Sequence, residues 1–342
     1  MSPKPRPEST RMFQEAAEAP AVVARLLAAN RDAARELGAQ LRAESPKAVV
    51  TCARGSSDHA ATYAKYLIET GTGVLTSSAA LSVSSVYAAE PRLEGALAIA
   101  ISQSGKSPDL LAAVEAAKQG GAFVVALVND EASPLATMAD RLLPLHAGPE
   151  LSVAATKSYI AALAGLAQLV AAWTEDEALE AALERLPDAL SQAWVLDWSP
   201  AAERLKAARN LYVLGRGVGF GAAQEAALKF KETCGLHAEA FSAAEVLHGP
   251  MALVKPGFPV LIFAQEDQTQ ESVAELARDL AERGAEVMMA GAGGELPTIA
   301  SHPALEPILR IQGFYRMANA LSILRGHNPD RPPHLNKVTE TV

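Results

Sequence analysis

The chain repeats one design at a shift of roughly 162 residues, and few folds accept such a repeat. Val49-Val-Thr-Cys-Ala-Arg-Gly55 reads as a strand running into a glycine turn, and Tyr212-Val-Leu-Gly-Arg-Gly217 reads the same way. An alanine-rich helical segment follows each turn, over residues 58–69 and 222–234. Arg54-Gly55 overlays Arg216-Gly217, and Ala60, Ala61 and Ala64 overlay Ala222, Ala223 and Ala226. A second strand comes next, over 97–101 and 260–264. Helices ending at Gly120-Gly121 and Arg283-Gly284 lead into third strands over 122–128 and 286–290. Strands alternating with helices imply right-handed crossovers and a mostly parallel sheet. The expected fold is α/β, with two duplicated, doubly wound parallel-sheet domains.

The predicted boundaries are an N-terminal helical segment over 1–45, a first domain over 46–175, a linker over 176–203, a second domain over 204–328 and a tail over 329–342. Residues 8–44 read as one or two amphipathic helices with a solvated Arg/Glu face. The acidic, proline-marked join over 174–200 reads as helical in part, and the proline-rich tail from Gly326 as extended. A length of 342 residues suits two domains with real cores. A net charge of −9 argues against broad nucleic-acid binding. No apolar run approaches the ~20 residues of a membrane span, and no apolar signal segment opens the chain. Cys52 and Cys234 lie far apart in apolar surroundings and read as buried thiols of a reducing compartment. The expected location is cytoplasmic, with neither nucleic acid nor membrane as a partner.

The candidate chemistry begins at Ala96-Leu-Ala-Ile-Ala-Ile-Ser-Gln-Ser-Gly-Lys-Ser-Pro-Asp109, an apolar strand, a Ser/Gly loop and a helix start. Ser107 suits the N-cap and Pro108 the first helical position. Unpaired N–H groups at such a start, with the hydroxyls of Ser102, Ser104 and Ser107, would hold a phosphate. The corresponding segment of the second copy, Gln265-Glu-Asp-Gln-Thr269, is acidic and would repel one. Ser/Gly loops are also common in α/β proteins without any ligand. Residues 100–107 fall one glycine short of a Walker A loop, because position 100 is alanine.

Gly217-Val-Gly219-Phe-Gly-Ala222 fits the dinucleotide pattern GxGxxA. No strand ends in an acid about 20 residues on, however, and Glu239 reads as loop, so a tight helix-on-strand turn is the competing reading. His237-Ala-Glu239 matches HxE but lacks the cysteine pair of zinc deaminases. Glu225, Lys229 and Glu232 share one helix face at i, i+4 and i+7. Such spacing ordinarily gives a solvated pair, although this helix starts at the glycine turn where ligands bind. His248, near a Gly-Pro break, and Lys337, in the tail, read as surface residues on sequence alone.

Taken together, Arg54-Gly-Ser-Ser57, Ser102-Gln-Ser-Gly105, Glu150-Leu-Ser-Val-Ala-Ala-Thr-Lys157, Gly215-Arg-Gly217, Glu225-Ala-Ala-Leu-Lys-Phe-Lys-Glu232, His237-Ala-Glu-Ala240, Glu245-Val-Leu-His-Gly-Pro250 and Leu335-Asn-Lys337 resemble the sugar isomerase (SIS) domain family. The likeness is greatest to the isomerase half of glucosamine-6-phosphate synthase and its stand-alone relatives, and runs from about residue 20 to the end of the chain. The resemblance implies tandem SIS domains of flavodoxin-like type. It implies that Ser56, Ser57, Ser102, Gln103, Ser104 and Ser107 hold the sugar phosphate and nearby hydroxyls. Glu232 would shuttle a proton between C1 and C2. His248 would open the ring from the neighbouring subunit of a homodimer with shared sites. Lys229 and Glu225 would orient the sugar, and Lys337 would close over C2, where it could form a Schiff base with a ketose. No metal or organic cofactor is implied.

Two departures stand out. No glutaminase half precedes Met1-Ser2, so glutamine-dependent amination is not expected. The loop reads Ser-Gly-Lys-Ser-Pro-Asp, where the synthase carries Ser-Gly-Glu-Thr, and this looks like the stand-alone deaminases and deglycases. Ala155 replaces a serine of the synthase pattern, with no clear consequence. The expected activity is conversion of glucosamine 6-phosphate to fructose 6-phosphate and ammonia. An aldose–ketose isomerase, a fructosamine-6-phosphate deglycase and a non-catalytic sugar-phosphate sensor remain alternatives.

Overall fold

A computed structural model describes residues 6–337, and these divide into two compact units. One unit holds residues 21–150, 157–186 and 336–337; the other holds 6–20, 151–156 and 187–335.

In the first unit, strands β1 (Val49–Cys52), β2 (Thr76–Ser78), β3 (Leu97–Ser102), β4 (Phe123–Val128) and β5 (Arg141–Leu142) form one sheet in the order β2-β1-β3-β4-β5. Every pairing is parallel. A parallel sheet is covered on both faces, which is why β3 and β4 read as near-continuous apolar runs. One face packs Ala98, Ala100, Val124 and Ala126 against Leu110, Ala113 and Val114 of helix Pro108–Gln119. Helix Lys157–Thr174 is buried almost along its whole length. Helix Arg31–Glu44 approaches it so closely that a Cβ on Gly38 would stand 2.6 Å from the Ala172 backbone. The register pairs Ser102 with Val128, which sets the loop after β3 beside the turn after β4.

In the second unit, β6 (Asn210–Gly215), β7 (His237–Ser242), β8 (Pro259–Phe263) and β9 (Glu286–Ala290) follow the order β7-β6-β8-β9, again all parallel. This repeats the order β2-β1-β3-β4, so the duplication read from the sequence extends to topology. Helix Phe220–Cys234 ends at Gly235, whose φ of +55° suits a residue without Cβ. Helix Glu306–Leu324 is almost wholly buried and sets Phe314 edge-on to Phe230 at 5.0 Å. The start of the chain joins this unit. Thr10 Oγ1 donates to Asn319, and the Asp330 carboxylate accepts from the Arg11 and Met12 amides at the start of helix Arg11–Ala17.

Two expectations need correction. Residues 8–44 form three α-helices, Arg11–Ala17, Ala19–Ala29 and Arg31–Glu44, rather than one or two. Glu239 lies in β7 and not in a loop. β7 is an edge strand that exposes His237 and Glu239 and buries Ala238, so its polar content hid a period of two. The short edge strand β2 was hidden for a similar reason, because its Thr-Ser-Ser sequence carries no apolar run. The expected tail closure falls partly on residues 338–342, outside the described residues. Cys52 and Cys234 are buried and not disulfide-bonded, and burial pushes both thiols up to about 12. Among the described residues no helix is long and apolar enough to cross a membrane.

Gly38→Ala should lower stability by about 1–3 kcal/mol, because the clashing atoms are backbone and cannot rotate away. Urea unfolding followed by circular dichroism measures this; an unchanged midpoint would show that the two helices have room to separate.

Candidate active site

In the first unit the turns after β1 and β3 are joined by charge. Gly55, with φ +55°, starts helix Ser56–Thr72, so Ser56 and Ser57 occupy its first turn, half-buried. Ser102 is buried, and its Oγ accepts the Gly105 amide at 2.9 Å. Ser104 Oγ accepts the Lys106 amide at 3.4 Å, and Ser107 stands at the N-cap of helix Pro108–Gln119. The Ser107 side chain makes no capping bond to the helix. Gln103 is half-buried in the same loop. Asp109, wholly buried, accepts Arg54 Nε at 2.8 Å and the Leu110 amide at 2.8 Å. Two serine-bearing helix starts and a guanidinium are thereby fixed together, an arrangement suited to an anion. Lys106 is paired with Asp130 at 2.8 Å.

In the second unit the residues at i, i+4 and i+7 are brought into contact, and they are not a solvated pair. Lys229 Nζ lies 3.2 Å from Glu225 Oε1 and 2.6 Å from Glu232 Oε2. The side chains of Glu225 and Lys229 are 0% and 1% exposed, whereas that of Glu232 is 19% exposed. Tyr315 Oη donates to Glu225 at 3.1 Å. Burial would push the Lys229 ammonium down, but the two carboxylates outweigh it and hold the group above the ordinary lysine value. The network therefore runs from a closed end at Glu225 to an open end at Glu232, where a carboxylate could exchange a proton with a bound molecule.

The glycines of the GxGxxA segment serve the turn itself. Gly217–Gly219 is a single 3₁₀ turn, and a Cβ on Gly219 would meet Gln265 Oε1 at 2.3 Å. His248 ends the 3₁₀ segment Glu245–His248 and is exposed. With Arg216, Leu247, Ser272, Glu275 and Asp279 it lines a cavity of about 420 Å³. Lys337 is not a freely solvated tail lysine. Its Nζ donates to Glu150 Oε2 at 3.3 Å, and Glu150 is buried and also accepts the Ser158 hydroxyl and amide. Sequence reasoning gave no role to Asp109, Glu150 or Tyr315. The first two lie within quoted motifs, so an acid among mostly small and hydroxyl-bearing residues was the available signal. Tyr315 had none, being 90 residues from its partner.

The chain belongs to the SIS domain family, whose model matches residues 44–172 and 204–292, one stretch in each copy of the repeat. It is 34% identical over 328 residues to a glutamine–fructose-6-phosphate aminotransferase (isomerizing) of Thermus thermophilus, covering 88% of this chain and 53% of that protein. The chain thus spans about half the length of the curated relatives it matches. A presumed phosphosugar isomerase from Silicibacter pomeroyi superposes with a TM-score of 0.89 at 44% identity, covering 94% of this chain and all of that one. A glucosamine-6-phosphate deaminase from Thermotoga maritima gives 0.79 at 25% identity, over 97% and 100% of the two chains.

Lys229→Met should cost about 3–5 kcal/mol at neutral pH, since it strands a buried carboxylate, and adding Glu225→Gln should recover part of this. The ion-pair contribution should be full below the ordinary lysine value and be lost only as pH rises through the raised folded value. Urea midpoints of parent and variants from about pH 7 to 11 provide the measurement. Equal stability of Lys229→Met and parent at neutral pH would refute the buried network.

Proposed function

We propose that this chain is a phosphosugar-converting enzyme that turns glucosamine 6-phosphate into fructose 6-phosphate and ammonia. The observation that carries this reading is the Glu225–Lys229–Glu232 network, in which the outer carboxylate alone opens to solvent. The full-length likeness to a glucosamine-6-phosphate deaminase, and the Ser/Gly loop with its basic residue, support it.

In the open-chain sugar the C1 aldehyde adjoins the C2 amine. Glu232 takes the C2 proton, and the electron pair left behind is drawn toward the C1 oxygen, giving an enolamine. Returning that proton to C1, while the C1 oxygen takes up a proton and the amine gives one up, yields a C2 imine with a C1 hydroxyl. Water adds at C2 and ammonia leaves, so atoms and charge balance with no net oxidation. A carboxylate reaching both carbons suits this transfer. Lys229, held between two acids, keeps Glu232 in one orientation. Ser56, Ser57, Ser102, Gln103, Ser104 and Ser107 hold the phosphate and neighbouring hydroxyls, Lys337 acts at C2, and His248 opens the ring. Ring opening by His248 of a neighbouring copy requires at least a dimer, and the exposed Leu247 beside it offers an apolar contact.

The second reading, a plain aldose–ketose phosphate isomerase, is favoured by the description of the 44%-identical Silicibacter protein. It keeps the same proton transfer and omits loss of nitrogen.

Glu232→Gln should slow ammonia release from glucosamine 6-phosphate by ~10²–10⁴-fold while leaving KM nearly unchanged. Coupled assays for ammonia and fructose 6-phosphate measure both. A variant as fast as the parent removes Glu232 from the proton transfer. A parent that interconverts an aldose and ketose phosphate yet frees no ammonia establishes the isomerase reading instead.

A further inference from the structure

The Ser/Gly loop carries a cation whose place is fixed by backbone packing. Lys106 Nζ lies 2.8 Å from Asp130 Oδ2, and the other Asp130 oxygen accepts the Ala132 amide at 3.1 Å. Gly105 has φ +65°, and a Cβ there would stand 2.3 Å from Ser133 Oγ and 2.9 Å from Val128. The Leu135 amide donates to the Gly105 carbonyl at 3.3 Å, and the Ser133 amide to the Asp130 carbonyl at 3.0 Å. The loop after β3 is therefore keyed into the turn after β4, and that contact sets Lys106 opposite Asp130. The Lys106 amide also meets the Ser104 hydroxyl, so the ammonium and a phosphate-binding serine share one short piece of backbone.

The energetics make this pair exchangeable. Both side chains are substantially exposed, at 57% and 37%, and ion pairs of that kind hold weakly. Hydrogen bonding from Lys106 keeps the Asp130 carboxyl below the usual carboxylate range, so an anion stands next to a loop built for an anion. Asp130 left alone would repel a phosphate, while Lys106 left alone would attract one.

We propose that Lys106 is a specificity-determining residue for phosphorylated over unphosphorylated sugars. It rests on Asp130 in the unliganded protein and transfers its ammonium to the incoming phosphate dianion, while Asp130 turns to solvent. This rests on the reading of residues 102–107 as the phosphate loop. Asp130 acts as the competitor that keeps the loop selective for a doubly charged group. A single-charged or neutral ligand would not displace it.

The test uses Lys106→Ala, Asp130→Asn and the double variant, each checked for folding by circular dichroism. The readouts are KM for glucosamine 6-phosphate and the inhibition constant of inorganic phosphate. Lys106→Ala should weaken both by about tenfold or more with little change in kcat, and Lys106→Arg should restore most of the loss. Asp130→Asn should tighten both a few-fold, and the double variant should fall between the single ones. Rising salt should weaken phosphate inhibition of the parent more than that of Lys106→Ala. Ser104→Ala separates the two claims. Weakened phosphate inhibition in Ser104→Ala with none in Lys106→Ala overturns the role of Lys106 and leaves the phosphate loop standing. No effect in either variant overturns the phosphate loop itself, and this inference with it.

Discussion

Parallel pairing governs the architecture of this chain. Every strand contact in both sheets is parallel, so each strand must be followed by a crossover, and all strand-to-helix turns emerge at the same edge of their sheet. That edge collects helix amino-termini with their unpaired N–H groups. Gly55, Gly105 and Gly217, each at positive φ, stand in such turns, where the backbone must leave a strand and enter a helix within a few residues. The candidate phosphate serines follow from this geometry. Ser56, Ser57, Ser102, Ser104 and Ser107 all lie at the turns after β1 and β3.

Three buried carboxylates around this framework obey a common rule. Asp109, Glu150 and Glu225 are each ion-paired and hydrogen-bonded, because an isolated ion in such surroundings would cost several kcal/mol, about the whole stability of a domain. Asp109 has Arg54, Glu150 has Lys337 and Ser158, and Glu225 has Lys229 and Tyr315. Burial alone does not mark a site. Glu306 and Arg310 form an equally deep pair at 2.9 Å, with 1% and 3% of their side chains exposed, and tie Glu266 and Ala290 at the end of the second sheet. What distinguishes the Glu225 network from the Glu306–Arg310 pair is its partly open member, Glu232. The proton transfer proposed for Glu232 requires such an opening, since the carboxylate must reach a ligand.

Much of the fold was legible in the sequence because it depends on local pattern. Alternating strands and helices, the glycine turns and the repeated Arg-Gly overlay are short-range signals, and each reappears within a few residues of its expected place. The edge strands β2 and β7 were not legible. Strands there need only half an apolar surface, so Thr76–Ser78 and His237–Ser242 resemble loops in composition. The number of N-terminal helices was lost for another reason. Pro20, in the first turn of helix Ala19–Ala29, marks the break near Glu18 but went unread in an alanine-rich stretch, and the break near Asn30 carries no proline or glycine stop.

The sequence alone determined the repeat, the parallel α/β class, the difference between a serine-rich loop in one copy and an acidic one in the other, and the spacing of Glu225, Lys229 and Glu232. Tertiary structure alone decided which charges meet and which are buried. The spacing on a helix face is the same for a solvated pair as for a buried one; only the packing of helix Glu306–Leu324 over Phe230 and Glu225 closes this one off. The Arg54–Asp109, Tyr315–Glu225 and Lys337–Glu150 contacts join residues 55, 90 and 187 positions apart. Periodicity in a sequence reports the environment of one segment. It cannot report the partner, because which long-range contact forms is settled by how whole elements pack.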